Sequence, residues 1–214
     1  AKFSFMFGLV QVVAALTSAV SQNAIVAGLK QTTYPVLFNY VGAFGVGLFV
    51  LGVLFIRNPT PVAGAKHQGV TAFFIAVTRN LFDVAKIGHV WMASIVGATL
   101  FGVLLALGVV WAPKLLMVRG ASESAAALGS SLLWLGLALG SAIVPWWSDR
   151  IRARKLPIIL GTLVQFVALA ALVYVPNLGS ATDLTLCFII GFANASHMLA
   201  FSTVACPDWT LPAV

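Results

Sequence analysis

The chain has 214 residues, of which 61% are hydrophobic and only 8% are charged. Soluble domains carry about 25% charged and about 45–50% apolar residues, so a water-soluble globular protein, a disordered chain and a collagen-like chain are excluded. The formal net charge of +7 therefore indicates basic cytoplasmic loops of a membrane protein and not a nucleic-acid partner.

Six apolar runs are long enough for transmembrane helices, which need about 20 residues each. In chain order they cover residues 3–29, 35–56, 89–113, 125–147, 157–175 and 184–206. Barrel strands would instead show alternating segments of about ten residues. The sequence thus predicts an all-α integral membrane protein with six transmembrane helices in a lipid bilayer.

The segment 57–88 separates the first two spans (1–56) from the last four (89–214). Within it, apolar residues recur at helical spacing from Val70 to Val84, while the charged residues Arg79 and Lys86 lie on the opposite face. Such a pattern favours a cytoplasmic linker with an amphipathic helix in the plane of the membrane. A loosely ordered linker is the alternative.

The orientation follows from the distribution of Lys and Arg. Segments 57–88 and 148–156 carry eight of them, whereas the remaining connections carry three. Because short cytoplasmic loops are enriched in positive charge, both termini are predicted to be cytoplasmic. We expect the chain to lie in the inner (plasma) membrane of a bacterium.

A charged stretch connects the fourth and fifth spans. Asp149 and Arg150 open it, and Arg154 and Lys155 close it. The stretch resembles the signature loop of major facilitator superfamily transporters, in which an Asp-Arg pair is followed by any residue, a glycine and then Arg or Lys repeats. Arg152 stands where glycine is common in that family.

The resemblance extends over nearly the whole chain. Residues 111–120 resemble the outer end of a seventh helix in that family, and residues 191–208 resemble a tenth helix. The spans would then match helices five and six at the end of the N-terminal half, and helices seven to ten of the C-terminal half. Helices one to four, eleven and twelve of the twelve-helix fold would be missing, which implies an incomplete MFS-like bundle. A natural six-span protein is the alternative.

The resemblance implies transport by alternating access, in which two helical bundles rock around a central site. In this scheme Asp149 accepts bonds from a facing helix or a helix N-terminus in one state. Arg150 and Arg154 pair across the gating loop, which ends at Lys155. For Arg152, Arg154 and Lys155, ordinary positive-inside anchoring is an equally good interpretation.

Polar side chains within the spans mark candidate cavity residues, because burying them in lipid is costly. His197 is the only ionisable side chain near the middle of a predicted span, and Asn194 lies three residues before it. His197 either contacts the solute or carries a proton; the alternative is a neutral histidine bonded to Asn194 or to a backbone carbonyl.

Two further sets of residues are candidates for the cavity. Gln11, Ser18 and Gln22 recur at helical spacing on the first span, so they should face other helices or a cavity and not lipid. Trp134 lies deeper than the other tryptophans, which mostly sit near span ends. We therefore include Trp134 among the residues that line a pocket.

The leading hypothesis is a secondary active transporter of a small solute, working by symport or antiport with a coupled proton or ion. The alternative is a non-transporting subunit or assembly factor of the same fold, bound to other membrane-protein chains. No metal-ligand cluster, phosphate-binding loop or nucleophile–base spacing is present in the sequence, so we expect neither an enzyme nor a metal or cofactor. A transporter predicts a water-accessible cavity, whereas a structural subunit predicts packed or paired polar groups.

Overall fold

A computed structural model describes residues 2–56, 70–176 and 178–205. Across these ranges the chain is helical, and no strand is present. A π-helical segment, Ala106–Trp111, joins two of the helices. The helices are α1 (Lys2–Leu29), α2 (Tyr34–Phe55), α3 (Val70–Ala85), α4 (Gly88–Leu105), α5 (Ala112–Val118), α6 (Glu123–Ile151), α7 (Lys155–Tyr174), α8 (Ser180–Asn194) and α9 (His197–Ala205).

Six stretches of the described residues are long and apolar enough to cross a membrane. They are Gly8–Leu29, Tyr34–Phe55, Gly88–Val118, Glu123–Ile151, Lys155–Tyr174 and Ser180–Phe201. The prediction of an all-α integral membrane protein with six transmembrane helices is therefore confirmed. The third span is longer than predicted, because the π-helical segment continues α4 into α5.

The chain forms two compact units. One contains residues 24–87, and the other contains the first part of α1 together with everything from Gly88 onwards. In the first unit, α2 has no buried residue, as expected of a helix whose apolar surface faces lipid all round. Helix α3 covers the range predicted as an amphipathic helix; its position in the plane of the membrane stays a prediction.

In the larger unit, α6 lies at the centre and packs closely on α8. Gly136 and Gly140, four residues apart on α6, both face the backbone of α8 near Phe192. A methyl group at either position would overlap backbone atoms that have no side-chain freedom to move away. Small residues thus set the distance between the two helices, as is common between lipid-immersed helices.

The last span is not the continuous helix that the sequence predicts for residues 184–206. It begins at Ser180 and is interrupted at Ala195 and Ser196, between α8 and α9. Across this helix break the backbone bonds tighten to i→i+3, for example from the Met198 amide to the Ala195 carbonyl at 3.1 Å. This tightening frees the carbonyl of Asn194 for another donor.

Candidate functional site

A buried polar cluster joins α4, α7 and the helix break. We define it as the Leu100 carbonyl with the side chains of Gln165, Asn194 and His197. The Asn194 amide nitrogen donates to the Leu100 carbonyl and, at 3.3 Å, to Gln165 Oε1. Gln165 Nε2 donates to the same Leu100 carbonyl at 3.3 Å. One backbone oxygen of α4 therefore holds two side-chain amides from two other helices.

His197 completes the polar cluster on the other side of the helix break. Its Nδ1 lies 2.7 Å from the carbonyl oxygen of Asn194. Because a carbonyl only accepts, Nδ1 carries the proton in this arrangement. The imidazole ring packs against Phe101 at a centroid distance of 5.0 Å and against Phe201 at 6.3 Å. The Nδ1–H of His197 thus donates to the Asn194 carbonyl, which the i→i+3 backbone bonding leaves without an amide donor.

The polar cluster is closed to solvent in this structure. Gln165 is 3% exposed, Asn194 is 0% exposed and His197 is 2% exposed. One acceptor, Asn194 Oδ1, is buried without a hydrogen-bond partner. The hydrogen-bonding groups of the cluster are amides, a backbone carbonyl and an imidazole, so their chemistry suits a neutral solute with its own donors and acceptors.

A second polar feature runs along one face of α6. Trp134 is buried with its indole N–H unpartnered, and it lies against Gly108 in the π-helical segment. Ser130 and Ser141 of α6 also carry buried hydroxyls without a partner. Because π-helical turns often occur at functional sites, the surroundings of Trp134 are a second candidate location for contact with a bound molecule.

The predicted polar stripe on α1 is only partly described. Gln11 is half-buried, and so is Ser18, whose hydroxyl donates to the Ala14 carbonyl of its own helix at 2.9 Å. The side chain of Gln22 lies outside the described residues. No described hydrogen bond links Gln11 or Ser18 to the polar cluster. Their role in a cavity therefore stays a prediction.

The charged motif spans the junction between α6 and α7. The sequence places Asp149 in a turn, but α6 continues to Ile151, so Asp149 and Arg150 lie in its last helical turn. Arg150 stacks over the Trp146 ring, with its guanidinium carbon 6.0 Å from the ring centroid. Arg154 is buried just before α7, and Lys155 is the first residue of that helix and is exposed.

Arg152 explains how the chain turns between α6 and α7. It adopts a left-handed conformation, with a φ of 51°. Glycine is favoured in this conformation at the ends of helices because it has no Cβ. The family pattern has glycine at this position, so the backbone conformation fits the pattern although the residue does not. The gating role of the motif stays a prediction.

The sequence treats Arg119 and Asp183 as ordinary loop charges, but they form a partly buried ion pair. Arg119 follows α5 and lies 2.8 Å from the Asp183 carboxylate in the first turns of α8. The same guanidinium donates to the carbonyl of Leu172 and, at 2.8 Å, to that of Val175. Both charges lie in connections predicted to face the same side of the membrane. This shared side is the sequence feature that could have indicated their pairing.

Comparisons with known proteins do not add a family assignment. No protein-family model, curated protein or solved structure matches the chain. Across the described ranges, His, Cys, Asp and Glu residues form no group of three that could hold a metal ion. The resemblance to the major facilitator superfamily therefore stays an expectation based on its charged motif.

Proposed function

We propose that the chain acts in secondary active transport and moves a small neutral or amphiphilic solute across the membrane by alternating access. The observation that supports this most directly is the polar cluster at the helix break inside the sixth span. Broken membrane helices with freed backbone groups are typical of solute and ion sites in transporters. The resemblance of the charged motif to that of major facilitator transporters supports the same proposal.

The polar cluster has the chemistry that a switching site needs. Polar groups inside a membrane are retained mainly where they pair with one another or serve transport. In the closed arrangement the amide of Asn194 uses the Leu100 carbonyl and Gln165 as its partners. In the proposed cycle a solute replaces these partners, so binding and helix movement draw on the same hydrogen bonds.

His197 is the proposed site of coupling to a proton. Its Nδ1–H bond to the Asn194 carbonyl spans the helix break. A change in the protonation or position of the imidazole would therefore act directly on the junction between α8 and α9. Asp149 and Arg150, in the last turn of α6, are proposed to stabilise one of the two states at the membrane surface.

A screen of chemically diverse solutes tests the proposal. The purified protein would be heated with a panel of small neutral, amphiphilic and charged solutes, and the unfolding temperature measured. A solute at 100 times its Kd stabilises the folded state by about 2.7 kcal/mol. We expect one class of neutral solutes to give such a shift and to show counterflow in proteoliposomes. Asn194→Leu should abolish both effects, whereas the surface variant Asp83→Asn should retain them.

A second candidate function is supported by the burial of the same groups. Asn194 and His197 are buried and each makes hydrogen bonds within the protein, as expected of a non-transporting membrane subunit or assembly factor. For such a subunit, no solute would shift the unfolding temperature and no counterflow would occur. Its partner chains would instead co-purify with it from mild detergent.

A further inference from the structure

Three buried hydrogen-bond donors without a partner lie in a row along one face of α6. Ser130 and Ser141 are each 1% exposed, and Trp134 is 7% exposed. Neither hydroxyl nor the indole N–H has a hydrogen-bond partner within the described residues. The positions are four and then seven residues apart, so at about 100° per residue they fall within about 40° of one another. We call Ser130, Trp134 and Ser141 the donor row.

The missing partners are a property of this face and not of serine in α6. A serine inside a helix normally bonds back to a carbonyl of the preceding turn. Ser131, beside the donor row, does so: its hydroxyl lies 3.2 Å from the Ala127 carbonyl and 3.4 Å from the Ala19 carbonyl of α1. Polar groups without partners are costly within a membrane. The alignment of three such groups indicates that they find partners in another state of the protein.

Two close contacts cover the donor row, and both involve a glycine. Gly108, in the π-helical segment, lies over Trp134, since a methyl group at Gly108 would be 3.4 Å from the indole nitrogen. Gly8 of α1 lies against Ser141, whose backbone carbonyl a methyl group at Gly8 would overlap. The first and third spans thus each cover part of the donor row, and no side chain of the row holds them there by a hydrogen bond.

The third span has the local structure of a hinge where it covers Trp134. The π-helical segment Ala106–Trp111 is followed at once by α5, which carries Pro113 in its first turn. Bends in helices occur mainly at prolines and at π-helical turns. The same span carries the Leu100 carbonyl that holds the polar cluster. Movement of this span away from α6 would therefore expose the donor row and break the bonds at Leu100 together.

We propose that the donor row lines the path of the solute through the protein, and that the first and third spans close over it in the state described here. This inference rests on the proposed function and adds the route to it. Ser130 and Ser141 are 11 positions apart, roughly 16 Å of helix and about half of the hydrocarbon layer. An indole N–H only donates, whereas a hydroxyl donates and accepts. The donor row therefore suits neutral solutes that carry hydrogen-bond acceptors.

Thiol labelling in lipid nanodiscs, which expose both faces of the membrane, tests the proposal. Ser130→Cys and Ser141→Cys each replace a hydroxyl that has no partner, in a background with Cys187 and Cys206 replaced by alanine. We expect a small, charged, water-soluble thiol reagent to label both variants. The matched control is the native Cys187, kept in a Cys206→Ala background. Cys187 is 0% exposed and lies close to Gly129, between α8 and α6, so it should stay unlabelled.

Two glycine substitutions on the third span test its closing role. Gly108→Leu places a branched side chain against Trp134, whereas Gly102→Leu enters open space. Labelling of Ser130→Cys should become about tenfold faster with Gly108→Leu, because overpacking of the closed contact raises the population of the open state. Gly102→Leu should leave the labelling rate unchanged. Equal rates with the two substitutions would overturn the closing role of the third span.

Labelling of His197→Cys under the same conditions separates this inference from the proposed function. If His197→Cys is labelled and either Ser130→Cys or Ser141→Cys is not, the path lies elsewhere. The inference is then overturned, while the proposed function stands. If none of the three variants is labelled, the proposed function fails as well.

Discussion

Replacement of Asn194 by leucine separates a functional from a structural role for the polar cluster. The two side chains have the same number of heavy atoms, but leucine places methyl groups where the amide met the Leu100 carbonyl and Gln165, so the change removes the amide and overpacks a fully buried site. Asn194 Nδ2 makes two hydrogen bonds and Oδ1 makes none. We expect the variant to remain folded, with a free energy of unfolding reduced by about 2–4 kcal/mol, and to lose transport.

The magnitude follows from four contributions, of which three destabilise the variant and one stabilises it. Loss of the two Nδ2 bonds costs about 1 kcal/mol, since hydrogen bonds between membrane helices average about 0.6 kcal/mol each. Gln165 Oε1 loses its Asn194 donor, which costs about 1–3 kcal/mol, and removal of the buried, unpartnered Asn194 Oδ1 returns about the same amount. The larger leucine side chain overpacks the buried site, which costs a further amount of about 1–3 kcal/mol. The free energy of unfolding should therefore fall by about 2–4 kcal/mol.

The assay combines an unfolding titration in detergent micelles with counterflow of whichever solute the screen identifies. A matched control is Gln165→Leu, which removes the other amide of the polar cluster and leaves Asn194 with the Leu100 carbonyl. A loss of more than about 5 kcal/mol in Asn194→Leu would refute the reasoning, because the asparagine would then be required for folding. Wild-type counterflow in this variant would refute its contact with the solute.

Three further predictions concern stability, each measured as the free energy of unfolding. Asp183→Asn should cost about 2 kcal/mol because it leaves the half-buried Arg119 without its counter-ion. Asp83→Asn breaks an exposed pair and should cost less than about 0.5 kcal/mol. Equal losses would contradict the difference in burial between the two pairs. Gly136→Ala should lower the free energy of unfolding by about 2 kcal/mol, because its methyl group overlaps α8. Gly102→Ala has open space around it and should raise the free energy of unfolding by about 0.5–1 kcal/mol. A change of the same sign in both variants would contradict the packing of α6 on α8. Arg152→Gly should raise the free energy of unfolding by about 1 kcal/mol, because glycine has no Cβ to strain the left-handed conformation. Arg152→Ala keeps the Cβ and should leave the free energy of unfolding unchanged. Equal free energies of unfolding in the two variants would exclude the left-handed conformation.

The spans were predictable because their signal is local. Runs of apolar residues, interrupted by charges and prolines, indicate membrane helices directly. Composition was sufficient for the spans, since the membrane imposes the same requirement on every spanning segment. Gly136 and Gly140 are four residues apart on α6, but such pairs arise often in a chain with 19 glycines, and the structure identifies α8 as the helix they meet.

The helix break was not predictable from local sequence. Residues 192–197 contain neither glycine nor proline, which are the usual signals for an interrupted helix. The break accompanies two hydrogen bonds: one from Asn194 to Leu100, 94 positions earlier in the chain, and one from His197 back to the Asn194 carbonyl. Because the first partner is so distant in sequence, spacing alone could not reveal the polar cluster.

The ion pair between Arg119 and Asp183 shows a similar limit. The two residues are 64 positions apart, and each looks like an isolated loop charge in the sequence. Their pairing depends on how α5, α7 and α8 come together at one end of the bundle. Topology predicts that both charges lie on the same side of the membrane. Only the packing of the helices brings the guanidinium to the carboxylate and to the carbonyls of Leu172, in α7, and Val175, at the end of α7.

Side-specific thiol labelling of the polar cluster tests alternating access most directly. In a background with Cys187 and Cys206 replaced by alanine, His197→Cys would be exposed to a membrane-impermeant thiol reagent from each side of a sealed vesicle. Ala138→Cys, in the buried core of α6, is the matched control and should remain unlabelled. Alternating access predicts labelling of the His197→Cys variant from both sides. Labelling from neither side, or from one side only, would contradict it, and labelling from neither would favour the non-transporting subunit.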